Sequence, residues 1–167
     1  MKAVWIILCI ICIIVPIIVY ACGIVRCIEF SVNCTDYLKL AADANSTKLA
    51  EKHLTAAIEY LETNHLTFGH TGIIIKSPQN DIGIWYENLK SAQTNLHFLN
   101  EKEDLTDLEE SNALMKLRET LLDEGTITHP QHISFYPAHV GWFWSMALIW
   151  LLWIVAIFFG VAAAEAY

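Results

Sequence analysis

The sequence predicts an all-α membrane protein: two transmembrane helices flank a soluble insert folded as an antiparallel, coiled-coil-like helical hairpin. Three observations carry this expectation. An uncharged run lies near each end, the net charge sits between them, and apolar residues recur at helical spacing inside the charged middle. Of the 167 residues 55% are hydrophobic, yet the formal net charge is −8. A soluble domain is usually ~45–50% apolar, and here the excess lies at the ends. Val4 to Val25 holds no charged side chain, and neither does Val140 to Ala164. Crossing a hydrocarbon core takes ~20 apolar helical residues, so either run suffices with some tilt. Arg26 to His139 holds nine Lys/Arg against seventeen Asp/Glu and therefore carries the whole −8. The expected domains are 1–25, 26–139 and 140–167.

In the first run, Val19-Tyr20-Ala21-Cys22 loosely matches a lipoprotein cleavage box. Tyr20 fits that box poorly and the run is long for a signal peptide, so a retained anchor is expected. Pro16 should kink it. Cys9 and Cys12 form a CxxC among Leu8, Ile10, Ile11 and Ile13, where packing rather than redox chemistry is expected. Cys27 and Cys34, at the start of the insert, can close a small disulfide loop in an oxidising compartment, with two free thiols as the alternative. Lys2 and Arg26 balance under the positive-inside rule. The acidic insert shows no affinity for anionic cytoplasmic lipid and is placed outside a cell (inner) membrane, in the periplasm or extracellular space.

Within the insert, Tyr37, Leu40, Ala41 and Ala44 begin a helical pattern that resumes at Leu54, Ala57, Ile58 and Leu61. The second group follows i, i+3, i+4, i+7, one buried stripe. One helix over about 35–65 is expected, kinked or interrupted near Asn45, because Asn45-Ser46-Thr47 favours caps. Residues 66–80 form a compact turn with Gly69 and Gly72, a short strand at Ile73-Ile74-Ile75 and a helix entry at Ser77-Pro78. A second helix over about 81–123 carries Ile84, Trp85, Leu89, Ala92, Leu96 and Leu99, then Leu105, Leu108, Leu114, Met115, Leu117 and Leu121. Thr106-x-x-Glu109 offers a capping box that would divide it. In this picture the chain rises to a far turn at 66–80 and descends. Such a hairpin buries one stripe per helix, so pairing with a second hairpin, in a homo-oligomer or a larger complex, is expected.

The return segment 125–139 contains Pro130 and Pro137, which forbid a continuous helix, and an extended stretch at Ile133 to Tyr136. Tyr136, Trp142 and Trp144 suit an aromatic belt. In the last run, Ala156, Gly160 and Ala164 are four apart and present a small-residue face for helix packing in lipid.

Candidate chemistry is sparse. His129-x-x-His132, with His139 near in sequence and His65 and His70 in the other turn, are the best metal-ligand candidates. Loop spacing defines no geometry, and no Cys pair or carboxylate completes a set, so no metal and no cofactor are assigned. The acidic run Glu101 to Glu110 lacks a calcium-loop glycine and reads as a solvated helix face. No nucleophile elbow or phosphate loop occurs, so no catalytic residue is named. A charge of −8 repels nucleic acid. Neither span has an ionisable side chain at depth for transport.

The leading expectation is therefore a non-enzymatic two-pass structural or accessory subunit, with the lipid bilayer and protein chains as partners. It would assemble through the hairpin and the last span, which leaves almost no residues beyond it to carry an output. The alternative is a sensor-like binding module with a ligand or partner surface near His70 and Trp85, signalling through another protein. A four-helix bundle between two membrane helices is similar in outline to the sensing part of bacterial chemoreceptors.

Overall fold

The computed structural model describes the backbone of residues 2–165 and the side-chain surroundings of residues 14–154 and of Ile157. Helix α1 (Lys2–Phe30) runs through Pro16 and passes without a break into a π-helical turn, Ser31–Thr35, and then α2 (Asp36–Ala42). After a four-residue gap come α3 (Thr47–Thr63), a 3₁₀ turn at Pro78–Asn80, α4 (Ile82–Asn100) and α5 (Asp107–Leu121). A two-strand hairpin, β1 (Leu122–Asp123) with β2 (Thr126–Ile127), and a 3₁₀ turn at Ile133–Phe135 lead to α6 (His139–Glu165).

The break near Asn45 is a complete reversal. Ser46 caps α3 by accepting from the Leu49 N–H at 3.4 Å. Beyond it the chain folds back along α2, with Phe30 against Tyr60 and Tyr37 against His53. At its other end α3 closes on His65, at φ +57°, while the Leu66 N–H reaches the Leu61 carbonyl at 2.8 Å. This is the left-handed helix stop usually given to glycine. Asp81 then caps α4 through Gly83 N–H (2.8 Å) and Ile84 N–H (3.2 Å). Helix α4 runs antiparallel to α3, as the pairs Tyr86–Glu62, Gln93–Thr55 and His97–Glu51 record.

The second long helix is likewise two. Both arms of the Thr106/Glu109 capping box form: Glu109 N–H to Thr106 Oγ1 at 3.3 Å, and Thr106 N–H to Glu109 Oε2 at 3.1 Å. Chain direction reverses again between α4 and α5. The expected hairpin of two long helices is therefore corrected to two short hairpins, α2–α3 and α4–α5, packed as a four-helix bundle within one chain. Its core includes Leu38, Leu54, Ile58, Leu61, Ile82 and Leu89, each at most 1% exposed.

These reversals also move the turn at 66–80. It lies at the base of the bundle, where α1 enters and α6 leaves, instead of the far end. Gly69, at φ +109°, sits so close to Tyr136 that a Cβ there would lie 2.1 Å from its hydroxyl. Ile73 to Ile75 form no strand; the β-type pairing here is an isolated bridge between His70 and Asp81. Nor is Ile133 to Tyr136 extended, since Ile133–Phe135 is a 3₁₀ turn beginning after His132 at φ +60°. Glu124 and Gly125, both at positive φ, close the small hairpin after α5.

Helices α1 and α6 meet at the base, where a Cβ on Gly23 would lie 2.6 Å from the Trp142 ring, itself stacked on Phe135 at 5.0 Å. Among the described residues, Ile14–Ala42 is the one helical stretch long and apolar enough to cross a membrane. Helix α6 adds a shorter apolar stretch, His139–Ile154. Large apolar side chains stand exposed on both, among them Ile17, Tyr20, Trp150 and Ile154. Such continuous apolar surface marks a partner or lipid contact.

Candidate functional site

Helices α2 and α3 bury their inward faces more fully than α4 and α5, and α4 buries only Ile82, Leu89 and Leu96. Helix α3 buries Thr47, Ala50, Leu54, Ala57, Ile58 and Leu61, whereas α5 buries Leu117 and Leu121. The shortfall opens a groove of about 400 Å³ between α4 and α5. Its apolar floor is Ala92, Leu96, Leu99, Ala113 and Leu117, and Asn88, Ser91, Asn95, Lys116 and Thr120 supply polar groups along it. The residues from α4 recur every three or four positions, so they form one helix face beside the core stripe. Ala113 keeps the opposite wall low. Phe98 lines the same groove while being 70% exposed. An amphipathic helix or an elongated amphiphile can lie in such a trough, apolar side inward.

The far end of the bundle is tied by a polar network spanning three helices. Thr47, 2% exposed, donates its backbone N–H to Glu110 Oε1 at 2.9 Å and its hydroxyl to Asn100 Oδ1 at 2.6 Å. Glu51 accepts from the Asn100 amide at 2.6 Å and lies 2.9 Å from His97 Nδ1. Lower down, Tyr86 donates to Glu62 at 2.6 Å. Burial first, then that bond, pushes the Tyr86 hydroxyl up to about 12, while Tyr86 and then Lys90 lower Glu62. Both groups tie α3 to α4 and leave the groove free.

The residues singled out by sequence are dispersed. His70 lies 3.6 Å from Asp81, and Trp85 donates to the Thr128 carbonyl at 2.8 Å, so each is engaged in closing the base. Trp85 also packs against the core. His129 rests on the Phe30 ring and faces the Pro130 carbonyl at 3.2 Å. His132 instead lines a small apolar pocket with Thr71, His139, Phe135 and Trp142. Among the described residues no three His, Cys, Asp or Glu side chains gather as a metal-binding group. Cys27 and Cys34 are free thiols. They stand two helical turns apart, roughly 10 Å along one axis, beyond the reach of a disulfide; of the two alternatives, the structure has the free thiols. Cys27 instead contacts Ser134 at 3.5 Å. Ala156, Gly160 and Ala164 belong to α6, but their side chains lie outside the described residues.

Sequence reasoning missed the groove. Its one advance signal was the row Asn88, Ser91, Asn95 and Leu99, a mixed polar and apolar face beside the Leu89–Leu96 stripe. No protein-family model, curated protein or solved structure matches the chain.

Proposed function

We propose that this protein is a non-enzymatic accessory subunit of a membrane complex: a two-pass anchor carrying a four-helix bundle that docks a helix of a partner protein. The observation that carries this reading is the α4–α5 groove, an open trough with an apolar floor of Ala92, Leu96, Leu99, Ala113 and Leu117. The trough holds about 400 Å³, room for several side chains of an amphipathic helix, and the insert as a whole is acidic although Lys116 is the charged residue in the lining. A partner helix with an apolar stripe and basic flanks is the complementary surface. In this reading α6 is the second span, its Ala156, Gly160 and Ala164 face packs against helices in lipid, and the bundle stands in the periplasm or extracellular space.

The test is photo-crosslinking of the full chain in its native membrane, with benzoylphenylalanine placed at Ser91 in the groove or at Glu59 on the far side of α3. One protein partner, captured from Ser91 and not from Glu59, is the expected result. Capture of a second copy alone would make the groove a self-assembly surface. A chain that stays monomeric in mild detergent with no adduct at Ser91 refutes the reading.

A second reading, a sensor module, is favoured by one observation. Helix α1 continues through the π-helical turn into α2 as one rod from the apolar run to the bundle, and π-turns recur at functional sites. A small amphiphile retained in the groove by the purified protein would support it.

A further inference from the structure

The turn between α3 and α4 carries apolar residues that the bundle does not use. Its neck is clamped: the Ile82 N–H donates to the Gly69 carbonyl and the Thr71 N–H to the Asn80 carbonyl, both at 2.9 Å. His70 and Asp81 pair between these bonds. Past this neck, residues 72–79 project as a tip whose leading residues are Ile73, Ile74 and Ile75, at 37%, 86% and 74% exposure. Three consecutive isoleucines on a constrained turn would be poorly placed in water.

Their position says what covers them. Ile73 lines the same pocket as His139, Trp142, Phe143 and Met146 of α6. The pocket therefore reaches two turns, roughly 10 Å, into α6, past the aromatic residues suited to a bilayer surface. The tip is thus level with the start of the α6 apolar stretch and continuous with it. Lys76 follows directly and is exposed, placed to carry its ammonium back to the lipid phosphates.

We infer that Ile73–Ile75 enter the bilayer surface as a third membrane contact, docking the base of the bundle flat against lipid. This rests on the reading of α6 as a membrane span. Between two spans that can each tilt, a third contact fixes the rotation of the bundle and hence which way its groove faces.

The test uses the full chain in nanodiscs of phosphatidylcholine and phosphatidylglycerol. Benzoylphenylalanine is placed singly at Ile74, at Ile75, at Leu151 in α6, or at Phe98 near the far end; all are exposed, so packing is kept. After illumination, mass spectrometry counts lipid adducts. Adducts from Ile74, Ile75 and Leu151, several-fold above Phe98, are the expected result. Adducts from Leu151 with only the Phe98 background at Ile74 and Ile75 overturn the inference and leave the two-span reading intact. No adduct from Leu151 overturns the two-span reading, and the inference with it.

Discussion

Replacing Glu110 with alanine should release the first turn of α3 from the helix that holds it. The Thr47 N–H is one of the donors that a helix start leaves without an intrahelical partner, and Thr47 is only 2% exposed. Glu110 accepts that N–H at 2.9 Å from a helix 63 residues away in sequence and sits 3.2 Å from the Thr47 hydroxyl. A hydrogen bond to a charged acceptor contributes ~1.5–3 kcal/mol, and a carboxylate at a helix start adds ~0.3–1 kcal/mol. The hydroxyl keeps its bond to Asn100, so the loss falls on the N–H alone. With Glu110 half-buried, Glu110→Ala should cost about 2 kcal/mol. At tenfold per 1.4 kcal/mol, amide exchange in the first turn of α3 should quicken about 30-fold. Hydrogen exchange read by mass spectrometry on the detergent-solubilised full chain measures this directly. Glu110→Gln keeps an uncharged acceptor and should show roughly half the loss. An acceleration under about threefold, the range of an ordinary surface substitution, would refute a tie between α5 and the α3 terminus.

Three further outcomes follow from the same packing. Gly69→Ala must accommodate a Cβ at φ +109° and 2.1 Å from the Tyr136 hydroxyl; a loss of about 3 kcal/mol is expected from thermal unfolding. Leu54→Ala empties a fully buried position in α3 and should cost ~2–5 kcal/mol in the same measurement. Glu109, held at about 2 by Lys102 first and then by the Thr106 N–H and hydroxyl, should make the start of α5 sensitive to acid. Because its folded value lies below that of a free carboxyl, its support is complete above about pH 4.5 and disappears as pH falls toward 2. Exchange at the first α5 turn should rise through that window in the native chain, and Glu109→Gln should abolish the acid step.

Local features of this fold were legible in the sequence, and chain direction was not. The stripe Leu54, Ala57, Ile58 and Leu61 is buried as its spacing requires, Ser46 caps α3, and Thr106 with Glu109 forms its box. Each of these is decided within four residues. A cap tells where a helix starts but not where its axis points afterwards. That choice is made by partners far apart in sequence, such as Thr47 with Glu110, or Arg118 with Asp43 at 3.6 Å. The same gap explains errors in the stripes: Ile82 is fully buried while Ile84 is 48% exposed, and Leu108 and Met115 face outward at 70% and 58%. On a helix whose neighbours are unknown, adjacent apolar rows are equivalent. The groove was hidden for a related reason, since its walls come from residues 88–99 and 113–120 and exist only once α5 turns back.

The second reversal also changes why this protein would need a partner. An isolated pair of long helices would need a second copy to bury its two stripes, and self-association would then be a condition of folding. Four helices in one chain meet that need internally, with Leu38, Leu61, Leu96 and Leu121 all at most 2% exposed. Phe98 stays uncovered beside the groove and Leu108 and Met115 on α5, as do Leu40 on α2 and Leu49 on α3. Helix α5 is held by its capping box, by Glu110, by the Arg118–Asp43 pair and by two buried leucines with Leu114 packed beside the core. A partner helix in the α4–α5 trough would supply the apolar cover that α5 lacks. If the proposed partner helix binds there, binding and the stability of α5 become one coupled quantity.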